Sequence, residues 1–337
     1  MMNLTDIEFL KECLSTPKQI AVIPHRNPDG DALGSTLGLY HVLKQLNHNV
    51  QVISPNEFPD FIAWLPGADS VTIFEKDKIQ TSEFLKNSDL IFTLDFNALH
   101  RTGDQMEIVL KTLDASFVMI DHHQMPDDYA KVVVSDVNFG STCELLYRVL
   151  MDLELDEFIN TDAATCIYTG IVTDSGSFKF PKTTGDTHRI VADLIDRGVD
   201  NPTVHNRLFS TNSYAKLQLL GKALENLKVL PQYKVAYTTL SQKELYQFNF
   251  MKGDTEGIVN YGLSIKGIDF AAIFIENKEE GIIKISFRSE GDVNVNEFSR
   301  KYFNGGGHIN AAGGKSFLSL NETVAQFVSI LAKENTH

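Results

Sequence analysis

Several short apolar runs in the first half of the chain end in polar residues. The first run, Gln19–Pro24, is rich in β-branched residues, which predicts a buried strand. It leads into His25 and a tight turn at 27–30. Apolar residues at helical spacing from 33 to 46 then predict a helix that begins near Asp31. His25, Asp29 and Asp31 therefore follow the carboxyl end of a strand, where open α/β sheets bind their ligands.

Three later runs repeat this design, at 89–95, 116–123 and 165–174, and they end at Asp95, at Asp121-His122-His123 and at Asp174. In the last run the pattern does not separate helix from strand. Strands that alternate with helices predict a largely parallel sheet flanked by helices. A single acid after a strand is ordinary turn or cap chemistry. Four such ends together predict one common site.

The pattern changes after residue 195. Leucines at helical spacing predict a helix at 213–227. Further runs predict strands at 234–240, 270–275 and 282–287 and helices at 294–302 and 322–331. We therefore expect an α/β protein with a first domain at 1–195, a helical connector at 196–230 and a smaller α/β domain at 231–337.

The composition excludes several classes of protein. The net charge of −14, from 30 Lys and Arg against 44 Asp and Glu, argues against a general surface for long nucleic acid. No stretch approaches the roughly 20 apolar residues that span a bilayer, so we expect no membrane partner. Cys13, Cys143 and Cys166 form no C-x-x-C pair, which argues against disulfides and a thiolate zinc site. The N-terminus has no basic region before an apolar one, so we expect no signal peptide and a cytoplasmic location.

The polar cluster has the composition of a metal site. Imidazole and carboxylate groups without thiolates suit Mn²⁺, with Mg²⁺, Co²⁺ and Zn²⁺ as compatible alternatives. The number of ligand-type residues exceeds what one ion needs, so two ions that share a carboxylate fit better. Two ions about 3.5–4 Å apart lower the pKa of a bridging water and stabilise an in-line displacement at phosphorus. The residues therefore indicate hydrolysis of phosphoesters.

Five motifs, in this order, resemble those of the DHH phosphoesterase superfamily. They are His25-x-x-Pro28-Asp29-Gly30-Asp31, Asp95, Asp121-His122-His123, Asp174 within Thr173-Asp174-Ser175-Gly176, and Gly305-Gly306-Gly307-His308, which is similar to the signature of the DHHA1 domain. The resemblance covers nearly the whole chain. Within the superfamily the chain is most similar to the compact DHH–DHHA1 group. That group comprises oligoribonucleases (nanoRNases) that also remove phosphate from 3′-phosphoadenosine 5′-phosphate.

The resemblance implies a role for each residue of the cluster. The implied ligands are His25, Asp29 and Asp95 for one Mn²⁺ and Asp31, Asp95, His122 and Asp174 for the other. Asp95 would bridge the two ions and is thus expected to be catalytic. His123 is expected to be catalytic without being a direct ligand, because it would position or protonate the substrate. Asp121 is expected to orient His122 or its loop without binding the metal itself.

Substrate contacts are expected in both domains. The glycines at 305–307 let backbone N–H groups approach an anion, and His308 adds a donor. Arg288 follows a predicted strand and is expected to clamp a phosphate; the group's pattern supports both assignments. Arg101 lies where the superfamily often has an Arg, and Ser141 and Thr142 offer hydroxyls before a helix. The alternatives are a plain turn for the glycines, an N-cap for 141–142 and a surface ion pair for Arg288.

We expect a Mn-dependent phosphoesterase that hydrolyses short oligoribonucleotides, 3′-phosphoadenosine 5′-phosphate or both. The alternative is a cyclic or linear dinucleotide phosphodiesterase or an exopolyphosphatase on the same fold. A catalytically inactive binding protein is disfavoured, because every ligand position of the motifs is filled. A homodimer is common in such proteins and is a further expectation.

Overall fold

Two β-sheets organise the chain, one in each of two units. The computed structural model describes residues 2–210, 212–251 and 253–334. The contacts divide the chain into the units Met1–Thr211 and Asn212–His337. Within the described residues, no helix is both long and apolar enough to span a membrane.

The first unit contains a six-stranded parallel sheet. Its strands are β1 (Gln19–Pro24), β2 (Asn49–Ser54), β3 (Thr72–Ile73), β4 (Leu90–Leu94), β5 (Ser116–Asp121) and β6 (Val132–Ser135). They are ordered β3-β2-β1-β4-β5-β6, and each neighbouring pair is parallel. The order reverses between β1 and β4, and doubly wound sheets bind ligands beside the carboxyl ends at such a point. The predicted parallel sheet is confirmed.

Helices supply the cores on the two faces of this sheet. They are α1 (Leu4–Leu14), α2 (Gly30–Gln45), α3 (Lys78–Lys86), α4 (Asp104–Leu110), α5 (Thr142–Asp152), α6 (Thr161–Asp174), α7 (Gly185–Asp196) and α8 (Asn201–Phe209). In β1, Ile20 and Val22 belong to one core, and Ala21 and Ile23 belong to the other. Strands that are buried on both faces have continuous apolar runs, which is why the sequence shows runs rather than alternation.

The run at 165–174, which the pattern left open, lies in helix α6. Helix α6 packs against α2 at very short range, because glycines stand at the contact. A Cβ atom on Gly34 would lie 2.6 Å from the carbonyl oxygen of Cys166. A Cβ atom on Gly170 would lie 2.8 Å from Oδ1 of Asp31. Asp174, the last residue of α6, therefore joins the cluster from a helix and not from a strand.

The second unit contains a mixed six-stranded sheet. Its strands are β7 (Lys228–Leu230), β8 (Val235–Leu240), β9 (Phe270–Asn277), β10 (Ile282–Ser289), β11 (Gly306–His308) and β12 (Ala311–Ser316). The order is β11-β12-β10-β9-β8-β7, in which only β8 and β9 pair in parallel. Its helices are α9 (Tyr214–Glu225), α10 (Gln242–Gln247), α11 (Asn260–Leu263), α12 (Val295–Tyr302) and α13 (Leu320–Glu334).

Aromatic rings fill the core on one face of the second sheet. Phe270 and Phe287 of the sheet have ring centroids 5.8 Å apart, and Phe327 of α13 lies 5.8 Å from Phe270. Edge-to-face contacts of this kind add to the free energy gained by burying the rings. On the opposite face, Ala271 and Ile273 of β9 pack beneath α9 and α10.

Two parts of the second half differ in detail from the sequence-based expectations. The glycine-rich segment is a hairpin of strands and not a loop, since β11 and β12 pair antiparallel. In the predicted connector, 196–230, helix α8 packs in the first unit through Val204 and Leu208. Helix α9 packs in the second unit through Leu219 and Ala223. A separate connector stays a prediction.

Candidate active site

The predicted ligands of the first unit meet at the carboxyl edge of the parallel sheet. His25, Asp95 and His122 directly follow β1, β4 and β5, at the point where the strand order reverses. Asp29 caps the N-terminus of α2, and Oδ1 of its side chain accepts from the backbone N–H groups of residues 31 and 32. Asp31 lies in the first turn of that helix. The fold thus brings together residues that are up to 149 positions apart, from His25 to Asp174.

His25, Asp29 and Asp95 form one group of possible ligands. Nε2 of His25 lies 3.5 Å from Oδ2 of Asp95 and 3.9 Å from Oδ2 of Asp29. Nδ1 of His25 lies 2.9 Å from the carbonyl oxygen of Arg26. This bond places the ring proton on Nδ1, so the lone pair of Nε2 faces the carboxylates. A second bond of this kind is typical of metal-binding histidines.

Asp31, His122 and Asp174 form a second group. Nε2 of His122 lies 3.3 Å from Oδ2 of Asp174 and 3.9 Å from Oδ2 of Asp31. It also lies 3.6 Å from Oδ1 of Asp95. Within each group the candidate ligand atoms lie within 4.8 Å of one another. Since Asp95 has one oxygen near each group, its position fits the predicted bridge.

Asp95 has an unusual backbone conformation. Its φ angle is 68°, in the left-handed region that Asp and Asn tolerate better than other non-glycine residues. Its N–H donates to the carbonyl oxygen of Ile120, which ties the residue to the neighbouring strand β5. The conformation turns the chain directly after β4, so that the carboxylate lies between the two groups.

Burial and mutual repulsion shape the electrostatics of the cluster. Burial raises the pKa values of Asp31 and Asp95 well above the usual range, and neighbouring carboxylates raise them further. For Asp174, burial and the charge of Asp29 raise the pKa to about 7. Burial and the nearby His123 lower the pKa of His122 to about 4, which keeps its imidazole neutral.

This donor set fits divalent cations. The salt bridges of the cluster carboxylates, among the residues that the structure describes, all involve histidine and never Lys or Arg. Buried carboxylates without a cation are unfavourable, whereas divalent ions would neutralise them. Neutral imidazole and ionised carboxylate are the forms in which these side chains bind metal.

His123 and Asp121 form a pair beside the cluster. Nδ1 of His123 lies 2.7 Å from Oδ1 of Asp121, which is fully buried. This bond raises the pKa of His123, while the charge of Arg101 acts in the opposite direction. Arg101 is exposed in a short turn at 99–102, and its carbonyl oxygen accepts from the N–H of Arg26. Oδ2 of Asp121 also accepts from the backbone N–H of His123, so Asp121 holds both the ring of His123 and the loop that follows His122. The predicted orientation of His122 itself stays a prediction.

Ser141 and Thr142 form hydrogen bonds within the protein at the start of helix α5. Ser141 caps helix α5 and accepts from the N–H of Glu144, and both 141 and 142 are buried. Oγ1 of Thr142 donates to Oδ1 of Asp95 at 2.9 Å. The N–H groups of Thr142 and Cys143 donate to the carboxylate of Asp31 at 2.6 and 2.9 Å. The start of α5 therefore binds two carboxylates of the protein, and a substrate contact of Ser141 and Thr142 stays a prediction.

Sequence reasoning missed this function of helix α5. The available signal was the pattern Ser-Thr-x-Glu at 141–144, which is typical of a helix start. The identity of the anion at that start is a tertiary contact between residues 111 positions apart, Asp31 and Thr142. No local pattern encodes such a contact.

The second unit brings the remaining predicted residues into one row. In the strand register, His308 of β11 faces Ala311 of β12, and Ala311 faces Arg288 of β10. Directly opposed residues of antiparallel strands point to the same face, so Arg288 and His308 flank a small alanine. Arg288 is half-buried and donates to the carbonyl oxygen of Phe287. No carboxylate of the described residues forms an ion pair with it, so the surface ion pair considered for Arg288 is absent from that part of the chain.

The glycines of this hairpin allow close packing. A Cβ atom on Gly305 would lie 1.9 Å from the carbonyl oxygen of Gly313, and one on Gly307 would lie 2.4 Å from that of Ala311. A Cβ atom on Gly306 would lie 3.4 Å from Nε of Arg300. The N–H of Gly307 donates to the side chain of Asn296 and is therefore not free for an anion.

Comparisons with known proteins agree with this architecture. Residues 19–171 match the DHH family, N-terminal domain, and residues 232–333 match the DHHA1 domain. The chain is 30% identical to the probable bifunctional oligoribonuclease and PAP phosphatase NrnA of Streptococcus mutans, over 93% of this chain and 95% of that protein. It is 29% identical to the bifunctional oligoribonuclease and PAP phosphatase NrnA of Thermus thermophilus, over 87% and 83%. A crystal structure of an exopolyphosphatase-related protein from Bacteroides fragilis is 35% identical, with a TM-score of 0.93 and coverage of 99% and 97%.

Proposed function

The chain belongs to the DHH family of phosphoesterases, and from this premise we propose that it is a metal-dependent hydrolase of short oligoribonucleotides and of 3′-phosphoadenosine 5′-phosphate. One observation carries the proposal: a cluster of carboxylates and imidazoles, with Asp31 and Asp95 buried, at the switch point of a parallel sheet. The substrates are proposed because relatives at 29% and 30% identity are oligoribonucleases and PAP phosphatases by name.

Two divalent ions, most suitably Mn²⁺, are proposed as cofactors. His25, Asp29 and Asp95 would hold one, and Asp31, His122 and Asp174 would hold the other, with Asp95 shared. When bound, such ions lower the pKa of a water molecule and neutralise the negative charge of the reacting phosphate. Thr142 positions Asp95 for this role through its hydroxyl group.

His123 is proposed to hold a proton for the leaving oxygen. Because Asp121 accepts from Nδ1, the second nitrogen, Nε2, is free to carry a proton toward the substrate. The hydrogen bond to Asp121 raises the pKa of His123, which is the direction that a proton donor needs. Arg101, whose charge acts on His123, is proposed to bind a phosphate oxygen nearby.

In the second unit, Arg288 and His308 are proposed to bind the terminal phosphate of the substrate. The two side chains share one face of the sheet on either side of Ala311. A half-buried guanidinium group without a carboxylate partner is costly, and a phosphate would offset that cost with paired hydrogen bonds. The glycines at 305–307 are proposed to keep this face free of side chains.

A second candidate function is exopolyphosphatase. The observation in its favour is the 35% identity to the exopolyphosphatase-related protein from Bacteroides fragilis. Both activities use the same cluster, so the structure of that site does not separate them. A homodimer and a cytoplasmic location stay predictions.

Product analysis tests the proposal. The purified protein with Mn²⁺ is given 3′-phosphoadenosine 5′-phosphate, RNA of two to five nucleotides, a cyclic dinucleotide and polyphosphate in parallel. We expect phosphate from the first substrate and mononucleotides from the RNA. Turnover of polyphosphate or cyclic dinucleotide alone would replace the proposed substrate. Absence of any turnover, with metal bound, would argue for a binding protein.

A further inference from the structure

One face of the second sheet carries cations, small residues and an exposed aromatic ring, and the proposed function uses only its end at Arg288 and His308. On β10 this face holds Lys284, Ser286 and Arg288, since alternate residues of a strand share a face. Their partners on β12 are Lys315, Gly313 and Ala311. We call these residues, together with Phe317, the open-sheet face.

Helices of the second unit cover the neighbouring strands on the same side. Ala271 and Ile273 of β9 point this way and are buried in a core with residues of α9 and α10. On the open-sheet face, by contrast, Lys284, Gly313 and Lys315 are exposed. Phe317, which directly follows β12, is 69% exposed.

Two lysines and one acid meet at one end of this face, where the hydrogen bond from Lys284 and the charge of Lys315 lower the pKa of Glu280. Lys284 and Lys315 are direct partners in the register of β10 and β12, and like charges in that position destabilise a sheet. Lys284 pairs with Glu280. Lys315 forms no ion pair with any carboxylate in the described part of the chain, and its Nζ lies 5.8 Å from the ring centroid of Phe317.

Protection of a sheet edge is the simplest alternative. Strand β11 pairs with β12 over 311–313, and beyond it the N–H of Lys315 donates to the carbonyl oxygen of Phe303, so only the side chain of Lys315 could discourage aggregation there. An exposed phenylalanine beside that lysine has the opposite effect, since it adds apolar surface to the same edge. A cation next to an exposed ring is instead the combination that binds single-stranded nucleic acid, through a phosphate and a stacked base.

We propose that the open-sheet face is a binding track for the RNA chain beyond the terminal phosphate, with Lys315 and Lys284 contacting a further phosphate and Phe317 stacking on a base. The track begins at Arg288 and ends at Lys284, four residues along β10, which is about 14 Å at strand spacing. This inference rests on the proposed function, because it extends the same substrate from its terminal phosphate. Its consequence is that affinity rises with RNA length over the first few nucleotides.

Binding of RNA to the full-length protein tests the track independently of hydrolysis. Fluorescence anisotropy in EDTA measures the Kd of labelled RNAs of two and five nucleotides. Lys315→Glu is expected to weaken binding of the five-nucleotide RNA and to lower the slope of log K against log salt by about 0.7. Phe317→Ala is expected to weaken it about tenfold without changing that slope. Both variants are expected to weaken binding of the two-nucleotide RNA much less.

The matched control is Lys243→Glu, which makes the same change of charge at an exposed position of α10. Lys315→Glu places an acid opposite Lys284, so the sheet is expected to keep its thermal stability.

The proposed track is contradicted if the Lys315→Glu and Phe317→Ala variants bind the five-nucleotide RNA as tightly as the Lys243→Glu variant does. It is also contradicted if Lys315→Glu weakens the binding of polyphosphate and of RNA equally, while Phe317→Ala changes the binding of neither. If the unchanged protein with Mn²⁺ hydrolyses no RNA, the proposed function fails instead, and the binding data identify which idea is at fault.

Discussion

The two units offer an anionic substrate opposite environments. In the first unit, Asp31 and Asp95 are buried without a Lys or Arg partner among the described residues, and burial raises their pKa values. In the second unit, Arg288 and Lys315 carry fixed positive charges on a sheet of small residues. We propose that this difference separates reaction from recognition, with metal ions required at the acidic site and phosphate bound at the basic face without them.

The largest effect is expected at Asp95 in the acidic site. In Asp95→Asn, the asparagine has nearly the shape of aspartate and tolerates the φ angle of 68°. The substitution removes the charge that two ions would share. We expect kcat to fall by about three orders of magnitude or more, because the reacting phosphate loses its electrostatic stabilisation. Steady-state hydrolysis of 3′-phosphoadenosine 5′-phosphate measures this change.

Binding of RNA in EDTA is the control for Asp95→Asn. If recognition lies in the second unit, the Kd of a short RNA stays the same in this variant. A variant with normal kcat would contradict the role of Asp95 as a shared ligand. A large rise of Kd in EDTA would contradict the separation of the two sites.

The second prediction concerns Arg288 on the basic side. Arg288→Lys keeps the charge but loses the planar pair of donors that fits a phosphate. We expect KM to rise by about 10- to 100-fold, with a much smaller change in kcat, since hydrogen bonds to charged groups contribute about 1.5–3 kcal/mol. Arg189→Lys on α7, exposed and paired with Asp186, is the matched control. A fall in kcat with constant KM would assign Arg288 to the reaction instead.

The contrast between the sites also explains what the sequence could predict. Three residues of the acidic site directly follow apolar strands, so the pattern of apolar runs along the sequence predicted their place at the edge of the sheet. They are His25, Asp95 and His122. The contacts of α5 with Asp31 and Asp95 depend on tertiary packing and could not be predicted from the sequence, and the substrate role expected for Thr142 stays a prediction. In the second unit, strands β11 and β12 were not predicted from the sequence because they are rich in glycine. Glycine has a low β-propensity and no side chain that could show an alternating pattern.

The third prediction tests how α5 supports the acidic site. Thr142→Val keeps the volume and β-branching but removes the hydroxyl that donates to Asp95. We expect metal affinity to fall about tenfold, the lower end for a residue that orients a ligand. Titration calorimetry with Mn²⁺ measures the affinity, and Thr142→Ser, which keeps the hydroxyl, is expected to restore it. Equal affinities for the Val and Ser variants would show that the hydroxyl has no such role.

The smallest effect is a difference in the pH dependence of stability with and without metal. In the metal-free protein, burial and repulsion raise the pKa values of Asp31, Asp95 and Asp174, the last to about 7. Unfolded carboxyl groups lose their protons near pH 3.9, so between about pH 4 and 7 the folded state binds more protons than the unfolded state. The free energy of unfolding of the first unit therefore falls as the pH rises through this range.

Fluorescence of Trp64 reports this change in the first unit, because it is the only tryptophan of the chain and packs against the core there. In EDTA we expect the Tm to fall by about 5 °C between pH 5 and 7.5. With saturating Mn²⁺ the Tm is expected to rise over the same range, because the ions bind the deprotonated carboxylates. The basic face has no cluster of this kind, so Arg288→Lys is expected to leave both pH profiles unchanged. Equal slopes with EDTA and with Mn²⁺ would mean that the acidic cluster is not where the metal binds.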